Sequence, residues 1–237
     1  MLFVSEVWEN VSKNGFNNSI KSMTELDRLG YFSYMARLNN KRGGGAAVVV
    51  DNRRFAARKL DIAHPKSIEV VWLLVRPKIQ PPVGEIREFV TCSFYSPPNK
   101  GRNNPLIQHI VENMMTLLKT YPKAGVVLAG DANKMDFSQI LRAAPHFRQI
   151  VTKPTHYGGI LDIIITNMQP RYAVPVIRPP IRPDSSTQGK PSDHSVAVAV
   201  PVQRGAGGVT REYRTRTFRP TPESSREMFG NLLLTVS

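Results

Sequence analysis

Cysteine, acidic side chains and long apolar runs are all scarce in this chain of 237 residues. The single cysteine, Cys92, excludes an intramolecular disulfide and any zinc site built from several thiolates. It also favours a reduced, intracellular compartment. No apolar run reaches the roughly 18–20 residues that cross a bilayer, and no secretory signal is visible at the N-terminus. These shortages predict an intracellular chain that does not span a membrane.

The shortage of acidic residues leaves a strongly basic chain. Lys and Arg number 32 against 18 Asp and Glu, for a formal net charge of +14 and a pI of about 10.2. Residues 204–237 hold six Arg and three Glu, which leaves +11 on residues 1–203, so the charge is not confined to a tail. This balance predicts a polyanionic partner, either nucleic acid or an anionic membrane face.

Short apolar runs bounded by Gly, Pro and Asn dominate the chain, which is typical of strands. They cover residues 2–4, 46–50, 68–75, 89–95, 125–129, 161–166 and 195–202. A helix is predicted from Pro105 onward, because Ile110 and Met114 belong to an apolar stripe at helical spacing. Met114 and Met115 are both expected to pack, and a shorter helix is expected after Asp136. The mixture predicts an α/β fold.

Acidic, amide and histidine side chains fall at the ends of these predicted strands. Asp131 and Asn133 follow the run GVVLA, and Asp193 and His194 precede the run SVAVAVPV. Asp162 lies inside the apolar run LDIIIT, where a charge is costly without a partner. Each residue alone has an ordinary structural explanation as a turn, a cap or half of an ion pair.

Two further residues complete this set of strand-end side chains. Glu6 ends the first predicted strand, and Tyr95 ends the run FVTCSFY just before a pair of prolines. Carboxylates that meet at one mouth of a β-sandwich select Mg²⁺ or Mn²⁺ rather than zinc. Such a cation polarises a phosphoryl oxygen, an Asp beside an Asn orients and deprotonates water, and a His held by a buried Asp donates to a phosphate. The set predicts phosphoester hydrolysis.

Six motifs occur in a fixed order along the chain. They are SEVWE at 5–9, GGGAAVVV at 43–50, FYSPPNK at 94–100, LAGDANKMD at 128–136, KPTHYGGILDIIITN at 153–167 and KPSDHSVAVAV at 190–200. As a set they resemble the endonuclease/exonuclease/phosphatase family, the fold of DNase I, and most closely the endonuclease domain of LINE-type non-LTR retrotransposon polyproteins. The resemblance covers residues 1–203. Residues 204–237, with YRTRTFRPTP at 213–222, are similar to the basic linker that leads to a reverse transcriptase, which is absent here.

The resemblance implies roles for eight residues. Glu6 and Asp193 match metal ligands of the family, and Thr155 matches a threonine near the DNA groove. The catalytic matches are the water-activating Asp131, the phosphate-orienting Asn133, the site tyrosine Tyr95, the phosphate-contacting His194, and Asp162, which orients that histidine. The implied cofactor is Mg²⁺ or Mn²⁺.

The family's fold is a four-layer α-β-β-α sandwich of two mostly antiparallel sheets. Its first strand, which ends in a metal-site asparagine, and the helix after it have no counterpart before Leu2. We therefore expect an N-terminally truncated domain over residues 1–203, followed by a linker over residues 204–237.

The resemblance also implies an activity and partners. The family member is a Mg²⁺-dependent DNA endonuclease that nicks one strand and leaves a 3′-hydroxyl, which primes reverse transcription. The implied partners are DNA and, through the missing reverse transcriptase, the element's RNA. The implied location is the nucleus, with no membrane partner.

Two other functions stay open at this point. The chain is a catalytically impaired, truncated remnant with residual nucleic-acid binding if the lost strand is essential to the metal site. Alternatively it is a phosphoesterase of the same fold that acts on a small or lipid substrate. The high positive charge favours DNA over this second alternative.

Overall fold

The computed structural model describes residues 1–5, 27–36, 44–98, 105–180 and 193–202. The chain divides into two compact units, Met1–Thr152 with Ile160–Gln169, and Lys153–Gly159 with Pro170–Ser237. Glu6 and the predicted linker at 204–237 lie outside the described residues. No helix in the described ranges is both long enough and apolar enough to span a membrane.

The described residues of the first unit form two sheets. Its strands are β1 (Leu2–Ser5), β2 (Tyr31–Ala36), β3 (Ala46–Asp51), β4 (Phe55–Lys59), β5 (Glu69–Pro77), β6 (Phe89–Tyr95), β7 (Gly125–Asp131), β8 (Arg148–Gln149) and β9 (Asp162–Thr166). Six strands form one sheet in the order β4-β5-β6-β7-β9-β8, and three form the other in the order β1-β3-β2. Every pairing is antiparallel except that of β6 with β7. The prediction of two mostly antiparallel sheets is confirmed.

The two sheets and two helices form successive layers within this unit. The helices are α1 (Pro105–Thr120) and α2 (Ser138–Ala143). One face of the six-stranded sheet packs on them, with Trp72 and Leu128 among its buried side chains. Its opposite face packs on the three-stranded sheet, where Leu73 lies in one cluster with Val48 and Val50. This α/β sandwich agrees with the predicted fold, and the described residues of the unit supply three of its four layers.

Both predicted helices are present, with one correction to their packing. Pro105 opens α1, where its missing N–H costs no hydrogen bond, and Ile110 and Met114 are buried as expected. Met115 was expected to pack as well, but it is 38% exposed. The two methionines differ because adjacent helical residues point about 100° apart and only one can face the sheet.

The second unit contains a two-stranded antiparallel ribbon of β10 (Val176–Arg178) and β11 (Val196–Val198). An isolated bridge joins Tyr172 to Pro201. A tight hairpin lies at residues 155–159, where His156 and Gly159 form a second bridge. The strand predicted over 195–202 is therefore shorter than expected.

A buried histidine connects α1 to the six-stranded sheet. His109 accepts a hydrogen bond at Nε2 from the indole N–H of Trp72, at 3.1 Å. Its Nδ1 lies 3.1 Å from the side-chain amide of Asn113. Burial lowers the pKa of His109, because desolvation disfavours the charged ring, and the nearby His64 adds to this effect.

We expect this histidine to make stability depend on pH. Since the pKa of His109 is lower in the folded chain, the unfolded chain binds the proton more readily. The contribution of neutral His109 to the free energy of unfolding is therefore fully present above the ordinary histidine pKa near 6.5, and it is lost as the pH drops below that value. Protonation converts Nε2 into a donor and leaves the buried indole N–H of Trp72 without an acceptor, which costs about 1–3 kcal/mol. Urea unfolding at pH 7.5 and at about pH 5.5 tests this, and the pH dependence should shrink in His109→Gln.

Candidate active site

Four polar side chains form one row across the six-stranded sheet. In register, Glu69 of β5 pairs with Tyr95 of β6, Tyr95 with Asp131 of β7, and Asp131 with Asp162 of β9. Each of the four is the terminal residue of its strand at the same end of the sheet. Neighbouring strands lie roughly 5 Å apart, and residues in register point to the same face. This face is the one that packs on the three-stranded sheet. Val71 and Leu73 lie two and four residues after Glu69, so they share its face of β5, and both pack against the three-stranded sheet.

Asn133 holds the Asp131 carboxylate in place. The backbone N–H of Asn133 donates to Oδ1 of Asp131 at 3.0 Å, and its side-chain amide donates to Oδ2 at 2.7 Å. The same amide donates to the carbonyl of Ser96 at 2.9 Å, at the end of β6. Asn133 has a φ of 44°, a left-handed conformation that asparagine tolerates better than most residues. The Asp-x-Asn spacing is thus a rigid clamp on a carboxylate that is only 1% exposed.

Ser5, near the start of the chain, binds the backbone of Asp131. The backbone N–H of Asp131 donates to Oγ of Ser5 at 3.0 Å, at the end of β1. Glu6, the predicted metal ligand, directly follows Ser5 in sequence and lies outside the described residues.

Gly130 allows Tyr95 and Asp131 to stand side by side. Asp131 was predicted to follow its strand, whereas Gly130 and Asp131 both belong to β7. A Cβ at Gly130 would lie 1.9 Å from the carbonyl oxygen of Phe94 on the neighbouring β6. Only glycine permits this approach of the two parallel strands.

The second unit carries the other predicted residues. Oδ2 of Asp193 lies 3.0 Å from Nε2 of His156. The ring centroids of His156 and His194 are 4.6 Å apart. The hydrogen bond from His156 lowers the pKa of Asp193, and the nearby charge of His194 acts in the same direction. The side chain of Asp193 is 54% exposed, so it is accessible to ions from solvent.

The hairpin at residues 155–159 positions His156. Tyr157 and Gly158 both have positive φ, at 35° and 85°, as the two central residues of a type I′ turn require. Backbone N–H groups of Thr155 and His156 donate to the carbonyl of Gly159 at 2.8 and 3.1 Å. Tyr157 at the tip is 87% exposed, whereas Thr155 is buried. The role of Thr155 toward DNA stays a prediction.

The structure therefore places the predicted residues in two groups. Tyr95, Asp131, Asn133 and Asp162 come together in the first unit, whereas Thr155, Asp193 and His194 belong to the second. Both groups contain side chains that are able to hold a metal ion, with carboxylates in the first and a carboxylate and imidazoles in the second.

Two residues of these groups were not predicted from the sequence. Glu69 is a charged residue at the start of an apolar run, IEVVW, which is the same signal that identified Asp162 in LDIIIT. Its carboxylate packs against Gly44, where a Cβ would lie 2.7 Å from Oε2. His156 had no signal beyond its place in the motif KPTHYGGILDIIITN.

Comparison with solved structures identifies the fold. Truncated TDP2 of Caenorhabditis elegans is similar at a TM-score of 0.54 and 17% identity, over 82% of this chain and 80% of that one. The human Nocturnin catalytic domain with bound sulfate is similar at a TM-score of 0.51 and 14% identity, over 84% of this chain and 78% of that one. The endonuclease domain of TRAS1, a telomere-specific non-LTR retrotransposon, is similar at a TM-score of 0.48 and 16% identity, over 70% of this chain and 76% of that one. No family model and no curated protein matches the sequence. The fold is that of endonuclease/exonuclease/phosphatase proteins.

Proposed function

We propose that this chain is a divalent-metal-dependent DNA endonuclease of a non-LTR retrotransposon. It hydrolyses one phosphodiester bond of duplex DNA and leaves a 3′-hydroxyl from which reverse transcription starts. The observation that carries the proposal is the row of Tyr95, Asp131 and Asp162 at one end of the sheet, with Asn133 clamped to Asp131.

The side chains of the row fit a hard divalent cation. Carboxylate oxygens of Glu69, Asp131 and Asp162 lie on one face at the ends of the strands, and Mg²⁺ and Mn²⁺ prefer oxygen ligands. Glu6, next in sequence to Ser5 beside Asp131, is the proposed ligand in this unit, and Asp193 is the proposed ligand in the second. A bound Mg²⁺ would polarise the phosphoryl oxygen and offset the charge that develops on it.

Asp131 is the proposed general base. Each of its oxygens accepts one hydrogen bond from Asn133, which fixes the plane of the carboxylate. A carboxylate has about four acceptor positions, of which Asn133 occupies two, and the proposed role of Asp131 is to accept a proton from an attacking water. Because Asp131 is buried and clamped, this acceptor is pre-oriented before substrate binds.

Tyr95 and Asp162 flank Asp131 in the row. The Tyr95 side chain is 7% exposed and shares the face of the two aspartates. We propose that its hydroxyl donates to a phosphate oxygen. Asp162 adds a second negative charge beside Asp131. The role toward a histidine that the resemblance implies for Asp162 stays a prediction.

The substrate class is tested by comparing three phosphodiesters. With a net charge of +14, binding to DNA should release counterions and weaken as salt rises, with a slope near −0.9 for each neutralised phosphate. We expect turnover of supercoiled plasmid that drops steeply between about 50 and 200 mM salt. Turnover of bis(p-nitrophenyl) phosphate or of sphingomyelin vesicles should be far slower. Faster turnover of either, with little salt dependence, would assign the chain to small or lipid substrates.

His194 should act on turnover and not on binding. If its imidazole protonates or stabilises the scissile phosphate, His194→Ala removes an interaction made mainly in the transition state. We expect kcat to fall by about 10²- to 10⁴-fold while the DNA dissociation constant changes by less than about 3-fold. Single-turnover nicking together with a filter-binding titration separates the two. An equal loss of affinity would make His194 a DNA-positioning residue.

A further inference from the structure

His156 adds a third metal-ligating side chain to Asp193 and His194. The candidate ligand atoms of the three residues all lie within 4.8 Å of one another. The separation between Nε2 of His156 and Oδ2 of Asp193 is 3.0 Å. In a tetrahedral zinc site with metal–ligand bonds of about 2.0–2.2 Å, ligand atoms stand about 3.4 Å apart. The ligand atoms of the three residues are thus as near to one another as ligands of a single cation need to be, to within about 1.5 Å.

The two segments that carry these ligands are held together by the backbone. The N–H of Ser195 donates to the carbonyl of Thr155 at 2.7 Å. These two residues are the direct sequence neighbours of His194 and His156. The type I′ turn of the hairpin fixes the backbone of His156 independently. The ligands are thus largely pre-organised, and binding a cation orders little additional chain.

The ligand chemistry selects the class of cation. Two imidazole nitrogens and one carboxylate suit Zn²⁺ and its neighbours in the transition series, whereas Mg²⁺ prefers oxygen ligands in an octahedral arrangement. We propose that His156, Asp193 and His194 bind a transition-metal cation of the Zn²⁺ class, with water completing the coordination.

The site has a regulatory consequence, which rests on the proposed function. Asp193 and His194 are the two residues of this unit that the proposal assigns to DNA hydrolysis. A Zn²⁺ ion bound to them engages both side chains, so Zn²⁺ should inhibit nicking even with Mg²⁺ in excess. The inhibition should be relieved by a zinc chelator that leaves Mg²⁺ in place.

Calorimetric titration of the full chain with Zn²⁺, without DNA or Mg²⁺, tests the site itself. We expect about one Zn²⁺ per chain and at least about a 10-fold weaker dissociation constant in His156→Asn and in Asp193→Asn. Co²⁺ should give visible absorption bands of low-symmetry coordination that both variants lose. His146→Asn is the matched control, because His146 is an exposed histidine of the first unit. Thermal unfolding of each variant shows whether it is folded.

Three outcomes separate the zinc site, the proposed function and the regulatory consequence from one another. The proposed zinc site is refuted if folded His156→Asn binds Zn²⁺ as tightly as the wild type, or if only His146→Asn weakens binding. His156 and Asp193 would then form a simple hydrogen-bonded pair. Since the titration contains no DNA, inactive protein that still binds Zn²⁺ through His156 supports the site while refuting the nuclease. An active nuclease that binds Zn²⁺ there and is not inhibited would overturn only the regulatory consequence.

Discussion

Asp131→Asn should reduce the rate of DNA nicking by about 10²- to 10⁴-fold, the range that a general base contributes. The substitution preserves the volume of the side chain and removes its charge and its ability to accept a proton. It also places an amide where the Asn133 amide donates to Oδ2 at 2.7 Å, so the clamp loses one hydrogen bond. Single-turnover nicking at saturating DNA measures this loss without interference from binding.

The matched control for this variant is Asp61→Asn, which removes the same charge from an exposed aspartate of the same unit. Its nicking rate should stay within about 2-fold of the wild type, since one surface charge changes DNA affinity only slightly. An Asp131→Asn protein that is folded and retains more than about a tenth of the wild-type rate would refute a role for Asp131 as general base.

Gly130→Ala should destabilise the protein more than any other glycine-to-alanine substitution in the described part of the first unit. The added Cβ would lie 1.9 Å from the backbone oxygen of Phe94, in the centre of the six-stranded sheet. Because that atom belongs to a paired strand and not to a flexible side chain, the strands β6 and β7 must separate. We expect a loss of about 3 kcal/mol or more, at the upper end of the cost of overpacking. For a chain of this size this corresponds to a Tm lower by about 6–12 °C.

Gly84→Ala distinguishes this clash from a general effect of replacing glycine. Gly84 has a φ of 89° and no atom within 4 Å of an added Cβ, so only the backbone strain of about 1 kcal/mol remains. Differential scanning calorimetry should rank the two variants clearly. Equal destabilisation of both would show that the close approach at Gly130 does not limit the sheet.

Strands that carry continuous apolar runs could be predicted from the sequence, whereas strands stabilised by their neighbours could not. The buried β5 and β7 were recognised because both of their faces are covered. By contrast, β4 reads FAARK and is largely exposed, so it carries no continuous apolar run. It forms a strand because its backbone pairs with β5 from Phe55 to Lys59. Such pairing depends on tertiary structure and leaves no local signal.

The candidate site shows the same division. Sequence analysis identified Tyr95, Asp131 and Asp162 from their places at strand ends and from a family resemblance. It could not show that they share one register across three strands, because strand order and register are set by the packing of the sheet. Glu69 was missed for this reason, although a charge inside an apolar run was the available signal. The roles of Glu6 and Asp193 as metal ligands stay predictions.

Conversion of supercoiled plasmid to open circles by the purified chain tests the central proposal most directly. With Mg²⁺ we expect single-strand nicks whose 3′-hydroxyl ends are extended by a DNA polymerase, and we expect no nicking when EDTA removes the metal. Asp193→Ala, purified identically, should lose this activity because it lacks a proposed metal ligand. Wild-type protein that is folded and binds DNA but nicks no faster than Asp193→Ala would contradict the proposal and leave a nucleic-acid-binding remnant.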